Sequence, residues 1–197
     1  YKQAPIDISF LRIYKKFMSI KRTFFSIISF IILFTISGCS TMKYEPVPLV
    51  KYVDLQKFMG AWYVIAHIPS FPERNAFNAI ERYELNDNGT IATTFTFNDG
   101  SFEGKFKTLT PTGFIVDEKS NAVWGMQFIW PIKADYRIAY LDKEYTQTVI
   151  AREKRDYVWV MARKPAVSPE EYSKLIDFVE SLGYEKSLIR KVPQETN

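Results

Sequence analysis

Side chains able to make or break bonds are scarce in this chain. Its 197 residues include one histidine, His67, and one cysteine, Cys39. They stand far apart in sequence, and no metal-ligand cluster is predicted from them. His67 precedes a proline-bearing loop on the face of its segment read as outward, where a solvated surface histidine is expected and not a general base. The acidic pair Glu170-Glu171 falls in the first turn of a predicted helix, where the helix dipole accounts for it. A single cysteine permits no intramolecular disulfide. The chain is rich instead in apolar surface, with 47% hydrophobic and 16% aromatic residues. That inventory suits the holding of a greasy molecule better than its transformation, so no enzyme activity and no cofactor are expected. A competing reading, an esterase or isomerase acting on an apolar substrate, has no nucleophile and base to rest on. Haem or bilin binding is a third reading, and haem would need an axial ligand.

Charge narrows the partners. The formal net charge is +4, but residues 1–38 carry six basic side chains against Asp7, leaving 20 basic and 21 acidic residues in the remainder. A nearly neutral body offers no electrostatic footing for nucleic acid.

The elements that must position the apolar residues read as strands. Gly60 allows a tight entry, and Trp62 opens a segment running to Ile68 in which Trp62, Val64, Ala66 and Ile68 share one face. Ile68 to Asn75 breaks the pattern with two prolines and reads as a loop at an open end, its apolar tips Ile68 and Phe71 placed to cover a ligand. A strand over Asn78 to Asn86 ends at Asp87-Asn88-Gly89, a hairpin signal. Ile91, Thr93, Phe95 and Phe97 then alternate with polar residues, and a second turn follows at Asn98-Asp99-Gly100. Phe102, Gly104 and Phe106 alternate with charges, which predicts the aromatic set inward. Pro111 to Gly113 predicts a bulge before the strand resumes at Phe114. Trp124, Met126 and Phe128 form another inward set. Ala134 to Leu141, Tyr145 to Arg152 and Tyr157 to Arg163 complete eight strands with mostly short turns, the pattern of an all-β, antiparallel up-and-down barrel. Asp54 is placed to cap one helical turn below Trp62. Ser168-Pro169-Glu170-Glu171 starts an amphipathic helix that Gly183 ends, and its Tyr172, Leu175, Ile176 and Val179 stripe is expected to pack outside the barrel on Val158, Val160 and Ala162.

The first 38 residues read differently. From Met18 come Lys21-Arg22, an apolar run from Phe24 to Ile36 too short to span a bilayer comfortably, and Ser37-Gly38-Cys39. This is the order of a secretory signal peptide, the alternative being a retained membrane anchor. Ile36-Ser37-Gly38-Cys39 resembles the bacterial lipobox, which implies a mature chain beginning at an acylated Cys39. Ser40 after it, and not Asp, implies by the same resemblance release to the outer membrane, with the protein lipid-anchored on the periplasmic face. The expected organisation is therefore upstream residues and signal peptide over 1–38, a lipidated tether over 39–53, barrel and helix over 54–193, and a tail over 194–197.

Gly60-Ala61-Trp62, Ala134-Asp135-Tyr136 and Arg163, in this order and spacing, resemble the motifs of the lipocalins, and closely those of the bacterial lipoprotein lipocalins. Ala134 stands where the family often has threonine. The resemblance implies that Arg163 lies across Trp62 at the closed end, a cation over an aromatic face with a structural role. Parity from Arg163 and Tyr136 then completes a predicted lining of Val64, Ala66, Phe95, Phe97, Phe102, Phe106, Trp124, Met126, Phe128, Tyr136, Ile138, Tyr140, Tyr157, Trp159 and Met161. Those nearest Trp62 are expected to fill a solid core and those toward the mouth to surround a cavity. The implied ligand is a fatty acid or lysophospholipid, the implied partner a membrane reached through Cys39, and a homodimer is compatible with the family. An envelope role by contacts alone, with no ligand, is the remaining alternative.

Overall fold

The computed structural model describes residues 44–195, so the expected signal peptide, Cys39 and the first residues of the expected tether lie outside the described residues. Helix α1 (Leu55–Phe58) is a single turn capped by Asp54, whose carboxylate accepts from the backbone N–H groups of Gln56 and Lys57. Gly60 follows with φ of 94°, a conformation that a side chain would strain, and turns the chain into the first strand. The strands are β1 (Gly60–Ile68), β2 (Ala76–Leu85), β3 (Ile91–Asp99), β4 (Lys105–Leu109), β5 (Thr112–Ile115), β6 (Val123–Ile129), β7 (Ile132–Leu141), β8 (Gln147–Ala151), β9 (Val158–Ala162) and β10 (Arg190–Lys191). Each pairs antiparallel with its neighbours, and β9 returns to pair with β1, which closes the sheet and removes its edges. β4 and β5 are two halves of one stave: both pair with β3, and the chain kinks between them at Thr110-Pro111. The barrel is thus eight-stranded, as the alternation predicts, with β10 an added short partner of β1.

Helix α2 (Pro169–Ser181) has the predicted start. Ser168 accepts from the Glu171 N–H, and Glu171 reaches back to the Ser168 N–H. Leu175, Ile176 and Val179 are buried against Ala66, Val149, Val158 and Val160 on the barrel's outer surface. The second core fills the closed end, where Phe58, Trp62, Tyr83, Trp124 and Tyr136 pack ring against ring. Among the described residues no helix is long and apolar enough to cross a membrane.

Expectations about facing are corrected at three places in the sheet. In β1, Val64 pairs with Met161 but Ala66 pairs with Val160, so Ile65 is an extra residue and the faces exchange beyond it. Ala66 consequently lies under α2 and not in the lumen, Ile68 joins the same outer cluster, and His67 turns inward, with no surface exposed. In β7, Ile138 pairs with Ile150 and Tyr140 with Val149, so Ala139 is a second bulge that sends Tyr140 outward onto Phe178 of α2. The β3–β4 loop is longer than a tight turn, and Asp99 pairs with Lys105, which places Lys107 opposite Phe97 and Leu109 opposite Phe95. Lys107 and Leu109 therefore share the inner face while Phe106 points to solvent, 63% exposed. Phe102 and Gly104 sit in that loop, with Phe102 edge-on to Phe77, and neither reaches the lumen.

Candidate functional site

Arg163 seals the closed end as expected. Its guanidinium lies 3.8 Å from the Trp62 ring centre and donates to the carbonyls of Lys57, Phe58, Met59, Ala61 and Tyr145. Lys57, Phe58 and Met59 belong to the α1 turn and its end, Ala61 to β1 and Tyr145 to the β7–β8 connection, so one cation just past β9 ties the cap, the first strand and that connection together. Above this plug the Tyr83 and Tyr136 hydroxyls share a hydrogen bond of 2.5 Å, and burial pushes both phenols well above the usual tyrosine range. Asp135 faces away from this pair, taking Arg137 Nε on both oxygens at 3.0 Å and the Glu153 N–H at 2.8 Å.

A cavity of about 350 Å³ opens above the tyrosines. That volume falls at the lower end of small-molecule pockets, roughly 300 to 1,000 Å³. Of the predicted lining, Phe95, Met126, Phe128, Tyr136, Tyr157, Trp159 and Met161 surround it. Val64, Phe97, Trp124 and Ile138 are inside the barrel but packed into the core and not around the cavity. Ala66, Phe102, Phe106 and Tyr140 are elsewhere, for the reasons of register given above.

Sequence reasoning missed the acidic side of this cavity. Glu73 closes a 3-10 turn (Phe71–Glu73) in the loop after β1, and Ser70, Pro72 and Glu73 of that loop line the cavity. Ile68 and Phe71 do not cover it, and Phe71 is 77% exposed with Arg74 stacked 4.0 Å away. The Glu73 carboxylate accepts from the Ser70 N–H and hydroxyl and, at 3.1 Å, from Trp159 Nε1, with His67 Nδ1 at 3.8 Å from the same oxygen. Burial pushes its carboxyl up, but His67, Ser70 and Trp159 outweigh burial and hold it below the usual range. Glu81 is the opposite case. It pairs across the sheet with Trp62 and Phe95, lines the cavity, and has no hydrogen-bonding or ionic partner among the described residues. Burial, reinforced by the charge on Glu73, pushes its carboxyl up to about 8. The signal was present in the sequence, since Ala79, Glu81 and Tyr83 share a face of β2, but a charge amid apolar residues reads as solvent-facing until the register is known.

At the mouth, after β8, Arg152 lines the cavity, pairs with Asp156 at 3.3 Å and has an Nε without a partner among the described residues. Its guanidinium stands 5.2 Å from the Tyr157 ring centre. The arrangement is an apolar vessel open at one end, with a cation at its lip and the carboxyl groups of Glu73 and Glu81 on its wall. Among the described residues no group of histidine, cysteine, aspartate or glutamate is placed to hold a metal ion.

Comparison with known proteins agrees with this architecture. A family model described as a lipocalin-like domain matches residues 53–194. Temperature-induced lipocalin-1 of Arabidopsis thaliana is 30% identical over 155 residues, covering 74% of this chain and 82% of its own. The outer membrane lipoprotein Blc of Citrobacter freundii is 26% identical over 162 residues, covering 82% and 91%. Among solved structures, insecticyanin from the tobacco hornworm Manduca sexta superposes with a TM-score of 0.59 at 14% identity, covering 78% of this chain and 85% of its own. At that identity the last likeness speaks for the fold alone.

Proposed function

The chain belongs to the lipocalin-like family, and from that premise we propose that it is a carrier, not an enzyme, holding one single-chain lipid, a fatty acid or lysophospholipid, inside the barrel. The apolar cavity walled by Phe95, Met126, Trp159 and Met161 carries this reading. Burying an acyl chain there releases about 0.8 kcal/mol per methylene. The head group lies at the mouth, where Arg152 offers an anionic carboxylate or phosphate a guanidinium already stripped of much of its water. Mass spectrometry of lipid co-purified with the protein, together with displacement of a fluorescent fatty acid, tests the reading. A stoichiometric single-chain lipid and saturable displacement are expected; an empty barrel with no saturable binding would overturn it.

We further propose that the mature chain begins at an acylated Cys39 and sits on the outer membrane, where it stores, moves or repairs envelope lipid. Likeness to the outer membrane lipoproteins supports this. Metabolic labelling with a palmitate analogue should mark the wild-type protein and leave Cys39→Ser unlabelled and released from the membrane fraction. Equal labelling, or equal membrane retention, would sink the anchor.

A further inference from the structure

The carboxyl of Glu81 has no established partner to explain it. It faces an apolar cavity from the inner side of β2, one cross-strand step from Trp62, and nothing among the described residues donates to it. Glu73, on the same cavity, is by contrast satisfied by Ser70 and Trp159. The cavity wall that both share is rich in aromatic residues, with Tyr83, Phe95, Tyr157 and Trp159 all lining the space. The Glu81 carboxyl is half-buried and opens onto the cavity; once a ligand displaces water from that space, it avoids a bare charge by keeping its proton or by taking a cation from the ligand. A protonated amine brings three donors and a positive charge, and aromatic faces attract that charge further. A ligand carboxylate in the same place would meet like charge and find as donors only the acid proton and the one O–H of the Tyr83–Tyr136 pair that their shared bond leaves over.

We propose that the cavity admits a further ligand class, single-chain amphiphiles ending in a protonated amine, bound amine-inward on Glu81 with Glu73 as the second anion. The proposal rests on the carrier reading only in needing an apolar cavity that opens to ligand. The two ligand classes then lie in opposite senses, carboxylates or phosphates with the head at Arg152 and amines with the head inside. Cavity volume limits both to one chain, and the Trp159 indole on the same lining is already committed to Glu73.

The test is displacement of a fluorescent fatty acid from the full chain by dodecylamine, dodecanol and dodecanoate at neutral pH, in wild type and in Glu81→Gln. Wild type is expected to bind the amine at least about tenfold more tightly than the alcohol, the margin of one buried charge-assisted hydrogen bond. Glu81→Gln should erase that margin while the alcohol changes by less than about threefold. Equal binding of amine and alcohol by wild type overturns the proposal without any variant, as does a margin that survives in Glu81→Gln. The two readings fail differently. Dodecanol and dodecanoate binding without an amine preference leaves the carrier intact and removes only this inference, whereas binding of none of the three removes both.

Discussion

Burial in the cavity wall, with the Glu73 charge, pushes the Glu81 carboxyl up, and the consequence for folding is measurable. Its carboxyl is raised in the folded protein to about 8 from the usual 4.5, so between those values the unfolded chain releases a proton that the native chain holds. Stability must therefore fall as pH rises from about 4.5 to about 8, by at most about 1.4 kcal/mol per pH unit, and level off above. Glu73, held below the usual range, acts in a separate window: its contribution is present above 4.5 and lost as pH falls below it. Urea midpoints across this range are expected to slope downward for wild type and to flatten for Glu81→Gln; parallel slopes in the two proteins would show that the acid is not buried as described. Arg163 sets the other residue-scale expectation. Arg163→Ala removes a cation over Trp62 and takes its donor from the carbonyls of Lys57 and Met59, a loss of about 2 to 4 kcal/mol. Melting temperature should drop while the folded fraction keeps its ligand affinity; weak binding with unchanged melting would contradict a purely structural role. Arg163 and Trp62 were legible in the sequence because both belong to short motifs in a fixed order. His67 and Glu81 were not, since each reads as a surface group until its strand's register is known.

At the scale of elements, period-two alternation predicts a strand's existence far better than its facing. The β3 set of Ile91, Thr93, Phe95 and Phe97 and the β9 set of Trp159 and Met161 face inward as the pattern says, because no extra residue interrupts them. In β1 and β7 a single extra residue, Ile65 or Ala139, exchanges the faces beyond it, and nothing in those residue types announces it. The long β3–β4 loop inverts Phe106 in the same way. The exchange has a use: it delivers Ala66, Ile68 and Tyr140 to the surface that α2 covers. Enlarging Ala66, as in Ala66→Leu, is therefore expected to overpack the helix interface and cost about 1 to 3 kcal/mol while ligand affinity is unchanged. If Ala66→Leu instead blocked binding and left stability alone, the bulge assignment would be wrong. The helix itself was legible end to end, from the Ser168 cap to Gly183 at φ of 94°. Ser168→Ala should lower stability by about 1 kcal/mol in chemical unfolding, reflecting the lost N-cap.

The barrel as a whole is a vessel with one stopper, and this makes a prediction that no single residue or strand could. Phe58, Trp62, Tyr83 and Trp124 fill the closed end completely, so a chain entering from the mouth must stop above Tyr83 and Tyr136. The counting of strands anticipated closure, but the depth of the stopper depended on how much of each inward set was packed and how much stood free. Within the 350 Å³ that remains, each added methylene of a fatty acid should strengthen binding by about 0.8 kcal/mol while it finds apolar wall. Once the chain reaches the tyrosine pair, further methylenes must fold back or protrude at the mouth, and the gain must cease. Displacement constants over chains from about eight to about twenty carbons are therefore expected to rise and then plateau, with ligand-induced gains in melting temperature following the same curve. Replacing Met161 by Trp, which fills the cavity from β9, should move the plateau to shorter chains. A series that climbs without a break would mean that the barrel is open at both ends, and one that is flat from the start would mean that the chain does not enter at all.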